Sequence, residues 1–317
     1  MISITSHPLL NLPIKIGEFQ VKNRLVIPPL IISYFGEKSC MVSKNHVEHY
    51  GERAAAGFGL IIVETTAVSY TGRLLEKQLG IWDDSFIEGH LAISQRCHEH
   101  GALCVLQLSH GGRNVPFAIN ARPIGPVSEV YQGSRIVGAS IAQLKKLESD
   151  FICAAIRAQK AGYDGVELQA CYGHLLNQMI CRTVNTRCDI YGGDDGRARF
   201  ISNIIDGIRS ECGKGFLIGA SLGINDPTHE DGIHTGILYE KLGIDYILGN
   251  IGTGSYRDAA APRNPAYPGI HYTLFDLKKK IKIPVIAMNN IYSATEVISA
   301  VRNNDVDLVA YLWYGLR

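Results

Sequence analysis

Residues 197–221 read RARFISNIIDGIRSECGKGFLIGAS: apolar residues at helical spacing over 197–211, a glycine break, then the short apolar run 216–221. A helix that delivers the chain into a strand is part of a βα repeat, and the same alternation continues on both sides of it. Strand candidates lie at 25–30, 60–64, 103–109, 165–169, 216–221, 246–250, 284–288 and 307–312. Helix candidates lie at 43–56, 84–100, 141–161, 197–211, 233–242, 272–280 and 293–303, several entered through a Ser, Asp or Thr suited to capping the first turn. Eight strands alternating with seven helices predict an α/β fold, a (β/α)8 TIM barrel lacking its last helix. A doubly wound sheet is the runner-up. It is disfavoured because no Gly-x-Gly-x-x-Gly turn follows the first strand. The long connections follow strands one, three, four and six, all at the C-terminal face where barrel enzymes build their sites.

Composition is consistent with that reading. The chain has 317 residues, 46% hydrophobic and 19% charged, enough to bury a large core and too apolar for disorder. Neither linker, low-complexity stretch nor solenoid-length repeat interrupts the pattern, so residues 1–317 are expected to form one domain. With 31 Lys+Arg against 30 Asp+Glu, no global field gathers nucleic acid or an anionic membrane. The first residues, Met1 to Pro8, lack the basic and apolar regions of a secretory signal, and no apolar stretch approaches bilayer length. A soluble cytoplasmic protein is expected. The eight cysteines include no Cys-x-x-Cys pair and sit mostly in apolar segments, which suits reduced structural thiols.

Two strand ends carry candidate chemistry. Gln107-Leu108-Ser109-His110-Gly111-Gly112-Arg113 places a carboxamide, a hydroxyl, an imidazole and a guanidinium around a glycine turn. A structural role, with His110 and Arg113 bracing the loop, is at least as good a reading of that stretch alone. The fourth strand continues as Gly165-Val166-Glu167-Leu168-Gln169-Ala170-Cys171-Tyr172-Gly173-His174, so that Gln169, Tyr172 and His174 cluster just past its end. Three polar side chains there are costly to leave unsatisfied, which favours function over mere space filling.

These two stretches, together with Val21-Lys22-Asn23-Arg24-Leu25, Gly59-Leu60-Ile61-Ile62-Val63-Glu64 and the loop residues Asn185, Arg187, Asp189, Gly192 and Gly193, closely resemble the old yellow enzyme family of FMN-dependent oxidoreductases. The resemblance runs from about Leu10 to the end of the chain. Asn250-Ile251-Gly252-Thr253-Gly254 and Ala287-Met288-Asn289-Asn290-Ile291 look more like its 2,4-dienoyl-CoA reductase and trimethylamine dehydrogenase branch, here as the barrel portion only. The resemblance implies FMN across the barrel mouth, NAD(P)H as electron donor, and hydride transfer from flavin N5 to an α,β-unsaturated carbonyl compound. It assigns Pro29, Leu30, Ala67, Gln107, Gly252, Asn289 and Asn290 to the cofactor. The family's two carbonyl donors and its proton-donating Tyr fall on Gln169, Tyr172 and His174, with the residue types exchanged. His174 is expected to serve as a proton donor with an ordinary pKa near 6.5.

Several positions depart from the family pattern. Gly219 stands where an Arg usually faces the flavin N1/O2 locus, Trp313 where an Arg usually grips the phosphate, Ile31 where a Cys or Thr contacts the ring, and Gly254 where the dienoyl-CoA branch has a His. Two other readings therefore stay open at this stage. One is redox-neutral proton transfer or lyase chemistry in a flavin-depleted pocket. The other is a non-catalytic subunit whose open barrel side is covered in a homo- or hetero-oligomer.

Overall fold

The computed structural model describes residues 7–253, 263–264, 267–288 and 294–311. Eight parallel strands close a barrel in chain order: β1 (Leu25–Ile27), β2 (Leu60–Ala67), β3 (Leu103–Ser109), β4 (Gly165–Ala170), β5 (Leu217–Gly223), β6 (Tyr246–Asn250), β7 (Val285–Ala287) and β8 (Leu308–Ala310). β8 returns to β1 through Val309 opposite Leu25 and Ala310 opposite Val26. Among the described residues, seven helices of seven residues or more connect the strands: α1 (Lys44–Ala55), α2 (Ile87–His98), α3 (Ile141–Lys160), α4 (Arg199–Cys212), α5 (His229–Lys241), α6 (Tyr272–Lys278) and α7 (Ala294–Arg302). The barrel read from the sequence is the fold observed. The expected absence of an eighth helix concerns residues beyond Tyr311, which lie outside the described ones.

Alternation along the strands divides the apolar residues between two cores. Val26, Leu60, Ile62, Val105, Leu217, Tyr246, Leu248, Ile286 and Leu308 fill the barrel interior, while Ile61, Val63, Leu106, Leu168, Ile218 and Ile247 face the helical shell. α4 shows how the shell is held. Phe200, Ile201, Ile204, Ile205 and Ile208 form one buried stripe, each contributing about 1.5–3 kcal/mol by leaving water.

The structure differs from the sequence reading at particular places. β1 ends at Ile27, because Pro28 and Pro29 have no N–H with which to continue a ladder. β2 runs three residues further than expected, through a bulge between Val63 and Thr66. α5 starts at His229 because Thr228 caps it, with its Oγ1 accepting from Asp231 N at 3.2 Å. An antiparallel hairpin, Ile14–Ile16 with Phe19–Val21, was not anticipated. It turns at Gly17 (φ +54°) and adds Ile16 and Val21 to the interior core, at the barrel's N-terminal end. The connection after β3 carries three short strands, Ile124–Gly125, Glu129–Tyr131 and Ser134–Gly138, and the one after β4 carries a short helix, Leu175–Ile180.

All eight cysteines are free thiols, five of them buried. Among the described residues no helix is long and apolar enough to cross a membrane.

Candidate active site

β3 alternates between the interior, at Leu103 and Val105, and the shell, at Cys104, Leu106 and Leu108, so Gln107 and Ser109 fall on the interior side near the C-terminal mouth. The same alternation turns Glu167 and Gln169 of β4 inward. The bulge in β2 does the rest, by shifting the phase of that strand so that Thr65 and not Glu64 meets them. A continuous buried hydrogen-bond chain results. His174 Nδ1 lies 2.8 Å from Gln169 Oε1; Gln169 Nε2 donates to Thr65 Oγ1 at 3.1 Å; Thr65 Oγ1 donates to Gln107 Oε1. Gln107 Nε2 then donates to Glu167 Oε1 at 2.7 Å and to Ser221 Oγ at 3.2 Å. Thr65 and Glu167 were not singled out as site residues in the sequence.

Tyr172 and His174 belong to a tight turn at the end of β4. Tyr172 adopts φ +54°, an uncommon conformation for a bulky residue, and the surroundings fix it. Its N–H donates to Ile251 O at 2.7 Å, and Asn114 Nδ2 donates to the carbonyls of Tyr172 and Gly173 at 3.1 and 2.9 Å. From the following short helix, Asn177 Oδ1 accepts from Gly173 N and Gln178 Nε2 donates to Gly173 O. The phenol-bearing residue is 39% exposed, whereas His174 is half-buried and Gln169 buried. The rings of Tyr172 and His174 are 6.2 Å apart.

One expectation for this trio is corrected. Burial, reinforced by the neighbouring His110, lowers the His174 imidazole from 6.5 to about 4. The ring is therefore neutral at physiological pH and has a single N–H. Gln169 already spends an amide hydrogen on Thr65, so its Oε1 is the acceptor for His174 Nδ1–H, and the lone pair sits on Nε2.

The expected cofactor residues are partly gathered. Pro29 is buried and Leu30 is 39% exposed in the loop after β1. That loop is tied down by Glu64, whose Oε2 accepts from Ile32 N at 3.0 Å while its Oε1 accepts from Tyr50 of α1 at 3.3 Å. Ala67 closes β2, opposite Ser109, and Gly252 N donates to Asn225 Oδ1 at 3.1 Å just beyond β6. Asn289, Asn290, Gly254 and Trp313 lie outside the described residues. Gly219 is inside the barrel, and its space is taken: a Cβ there would stand 2.1 Å from Tyr246 Cζ.

Other motif residues brace loops. His110 Nδ1 accepts from Gly112 N at 3.1 Å, and Arg113 pairs with Glu129 and covers the Tyr131 ring. Asn185 Nδ2 donates to Met179 O and Tyr191 O, and Arg187 grips Asp189 through two nitrogens while its third reaches Pro126 O and Ala139 O.

The donor set at the mouth fits a flavin. Amide and hydroxyl groups converge there, and Ser109 Oγ is buried with no partner among the described residues, a group left for a ligand to satisfy. The Tyr246 phenol occupies the space that a side chain at Gly219 would need.

The family model described as NADH:flavin oxidoreductase / NADH oxidase matches residues 10–314. Among solved structures, the old yellow enzyme homologue from Zymomonas mobilis is 26% identical with a TM-score of 0.81, the match covering 96% of this chain and 88% of that one. A 2-naphthoyl-CoA reductase in complex with 2-naphthoyl-CoA is 24% identical with a TM-score of 0.86, over 95% of this chain and 50% of that one, so this chain spans half its length. Morphinone reductase in complex with tetrahydroNAD is 23% identical with a TM-score of 0.81, over 96% and 86%.

Proposed function

The chain belongs to the NADH:flavin oxidoreductase / NADH oxidase family, and from that premise we propose that it is an FMN-dependent enzyme that takes electrons from NAD(P)H and reduces the C=C bond of an α,β-unsaturated carbonyl compound. The observation that carries this reading is the placement of Gln169, Tyr172 and His174 on one strand end, joined through Thr65 to Gln107. Residues 1–317 act as one domain in this proposal.

FMN, when bound, supplies hydride exchange at N5. Gln107, Pro29, Leu30, Ala67, Gly252, Asn289 and Asn290 would hold it, with Gln107 and Ser109 offering polar groups from the barrel interior. The substrate carbonyl needs a donor that strengthens as negative charge grows on its oxygen. Gln169 Nε2 keeps one hydrogen for that task after serving Thr65. His174 holds the amide in this orientation by donating to its oxygen, which makes His174 a positioning residue. Tyr172, at the exposed tip of the turn, is then the acid that protonates the α-carbon.

Absorbance spectroscopy tests the reading directly. Purified protein incubated with FMN and desalted should stay yellow, bleach anaerobically with NADH or NADPH, and recover colour on addition of an enone. Protein that remains colourless, or whose reduced flavin ignores every enone, overturns it.

A further inference from the structure

Glu167 sits in the middle of β4 with its carboxyl fully buried in the barrel. Three other strands supply its partners. β3 contributes Gln107, whose Nε2 donates to Oε1; β5 contributes Ser221, whose Oγ donates to the same oxygen at 2.6 Å; β6 contributes Tyr246, whose hydroxyl donates to Oε2 at 3.2 Å. Cys171, on the chain just past β4, is the other titratable group close to it. No Lys, Arg or His pairs with this carboxylate among the described residues. Arg73, the one Lys or Arg among the described buried residues, is spent on the carbonyls of Tyr70 and Glu76.

The missing cation is built into the strand register. Gly219 lies opposite both Glu167 and Tyr246 in the sheet. With no side chain at Gly219, the Tyr246 phenol crosses that position and reaches Glu167. Both titratable neighbours are neutral near pH 7, since burial pushes the Tyr246 phenol and the Cys171 thiol well above their ordinary values. Burial raises the carboxyl itself to about 7, its three donors only partly opposing the shift.

We propose that Glu167 balances charge in this barrel: linked to the cofactor through the Gln107 amide, it takes up one proton when the flavin is reduced and releases it on reoxidation. The inference rests on the flavin reading above. A hydride brings two electrons and one proton to the flavin and leaves it one unit more negative. The compensating proton comes from solvent and forms an O–H bond on the Glu167 carboxylate; no other bond changes.

Two measurements on the full chain test this. In the FMN-loaded protein, the midpoint potential followed by spectroelectrochemistry should fall more steeply with pH around neutrality than in Glu167→Gln. The difference should be one extra proton per electron pair, about 30 mV per pH unit. In the flavin-free protein, infrared spectroscopy should show carboxylic C=O absorption that titrates near neutrality, from Glu64 as well as Glu167, and the Glu167 part of it should be lost in Glu167→Gln. Should that variant not fold, Tyr246→Phe keeps the carboxyl, removes one donor and should shift the titration to higher pH. Equal slopes in the FMN-loaded proteins, or neutral-range carboxyl absorption that neither Glu167→Gln nor Tyr246→Phe alters, overturn this inference alone. Failure to take up FMN overturns the functional reading and this one with it.

Discussion

His174 Nδ1 lies 2.8 Å from Gln169 Oε1, five residues earlier on the same strand end, and this contact decides which member of the trio can donate a proton. The neutral ring has given its only N–H to Gln169. Tyr172→Phe should therefore slow reoxidation by an enone by about 10²-fold or more, the usual scale of general-acid catalysis, and leave flavin reduction by NAD(P)H nearly unchanged. His174→Phe should raise the KM for the carbonyl substrate more than it lowers kcat, because it frees the Gln169 amide to turn. Rapid mixing of each half-reaction separates the two effects. A rate that inflects at pH 6.5 in the parent and loses the inflection in His174→Phe would restore His174 as the acid.

The barrel was legible because its signal is repetition, and a run of βα units survives errors in any one boundary. β3 and β6 end where their patterns end. The site was only partly legible. Gln107, Gln169, Tyr172 and His174 stand in recognisable motifs, but Thr65 enters through a bulge that follows the uniformly apolar Leu60-Ile61-Ile62-Val63, which carries no phase information. Tyr246 reads locally as one more apolar residue in a strand. Its meaning depends on Gly219 in the neighbouring strand, a pairing that local sequence does not encode. The lowered pKa of His174 was illegible for a related reason: burial belongs to the assembled barrel and not to the turn.

Gln107 is the middle link of the buried chain, so removing it should act in two directions. Gln107→Ala takes away the acceptor of the Thr65 hydroxyl and one of the three donors to Glu167, at a cost of about 1–3 kcal/mol in stability. Loss of one hydrogen bond to the flavin should weaken FMN binding by up to about tenfold. Urea denaturation and fluorescence titration with FMN measure the two quantities. Unchanged FMN affinity would remove Gln107 from the cofactor site, whatever its effect on stability.

Acid should destabilise the protein through its buried histidines. Burial lowers His46, His90, His110 and His174 to about 4. The unfolded chain then binds more protons than the folded one between about pH 4 and 6.5. Their contribution is complete above 6.5 and is lost as pH falls towards 4. Glu64 and Glu167 oppose this, since burial raises both to about 7 and the folded state binds the extra protons. Their contribution is present below the ordinary carboxyl range and is lost as pH rises towards 7. With His49, lowered further to about 3, five histidines act against Glu64, Glu167 and the also raised Glu148 and Asp226, so the urea midpoint should climb from pH 4 to a maximum near 6.5 and decline slightly above it. In a Glu64→Gln, Glu167→Gln double variant the decline should vanish. A midpoint that falls steadily from pH 5 to 7 would contradict the assignment.

Gly219 and Tyr246 should behave as one unit. A Cβ at position 219 would stand 2.1 Å from Tyr246 Cζ and 2.5 Å from its hydroxyl, closer than packing permits. Gly219→Ala should therefore cost about 1–3 kcal/mol, the usual range for overpacking an interior. In a Tyr246→Leu background the ring is gone, and the same substitution should cost much less, giving a coupling of about 1–2 kcal/mol in a double-mutant cycle. Urea denaturation of the four proteins yields the cycle, and strictly additive costs would show that the phenol does not occupy the place of a side chain at 219. The Tyr246→Leu background also permits a charge test. Gly219→Arg there puts a guanidinium opposite Glu167, which favours the ionised carboxylate, so the neutral-range titration of Glu167 should move to lower pH. If the carboxyl still titrates near neutrality beside that cation, the absence of a cation is not what poises it.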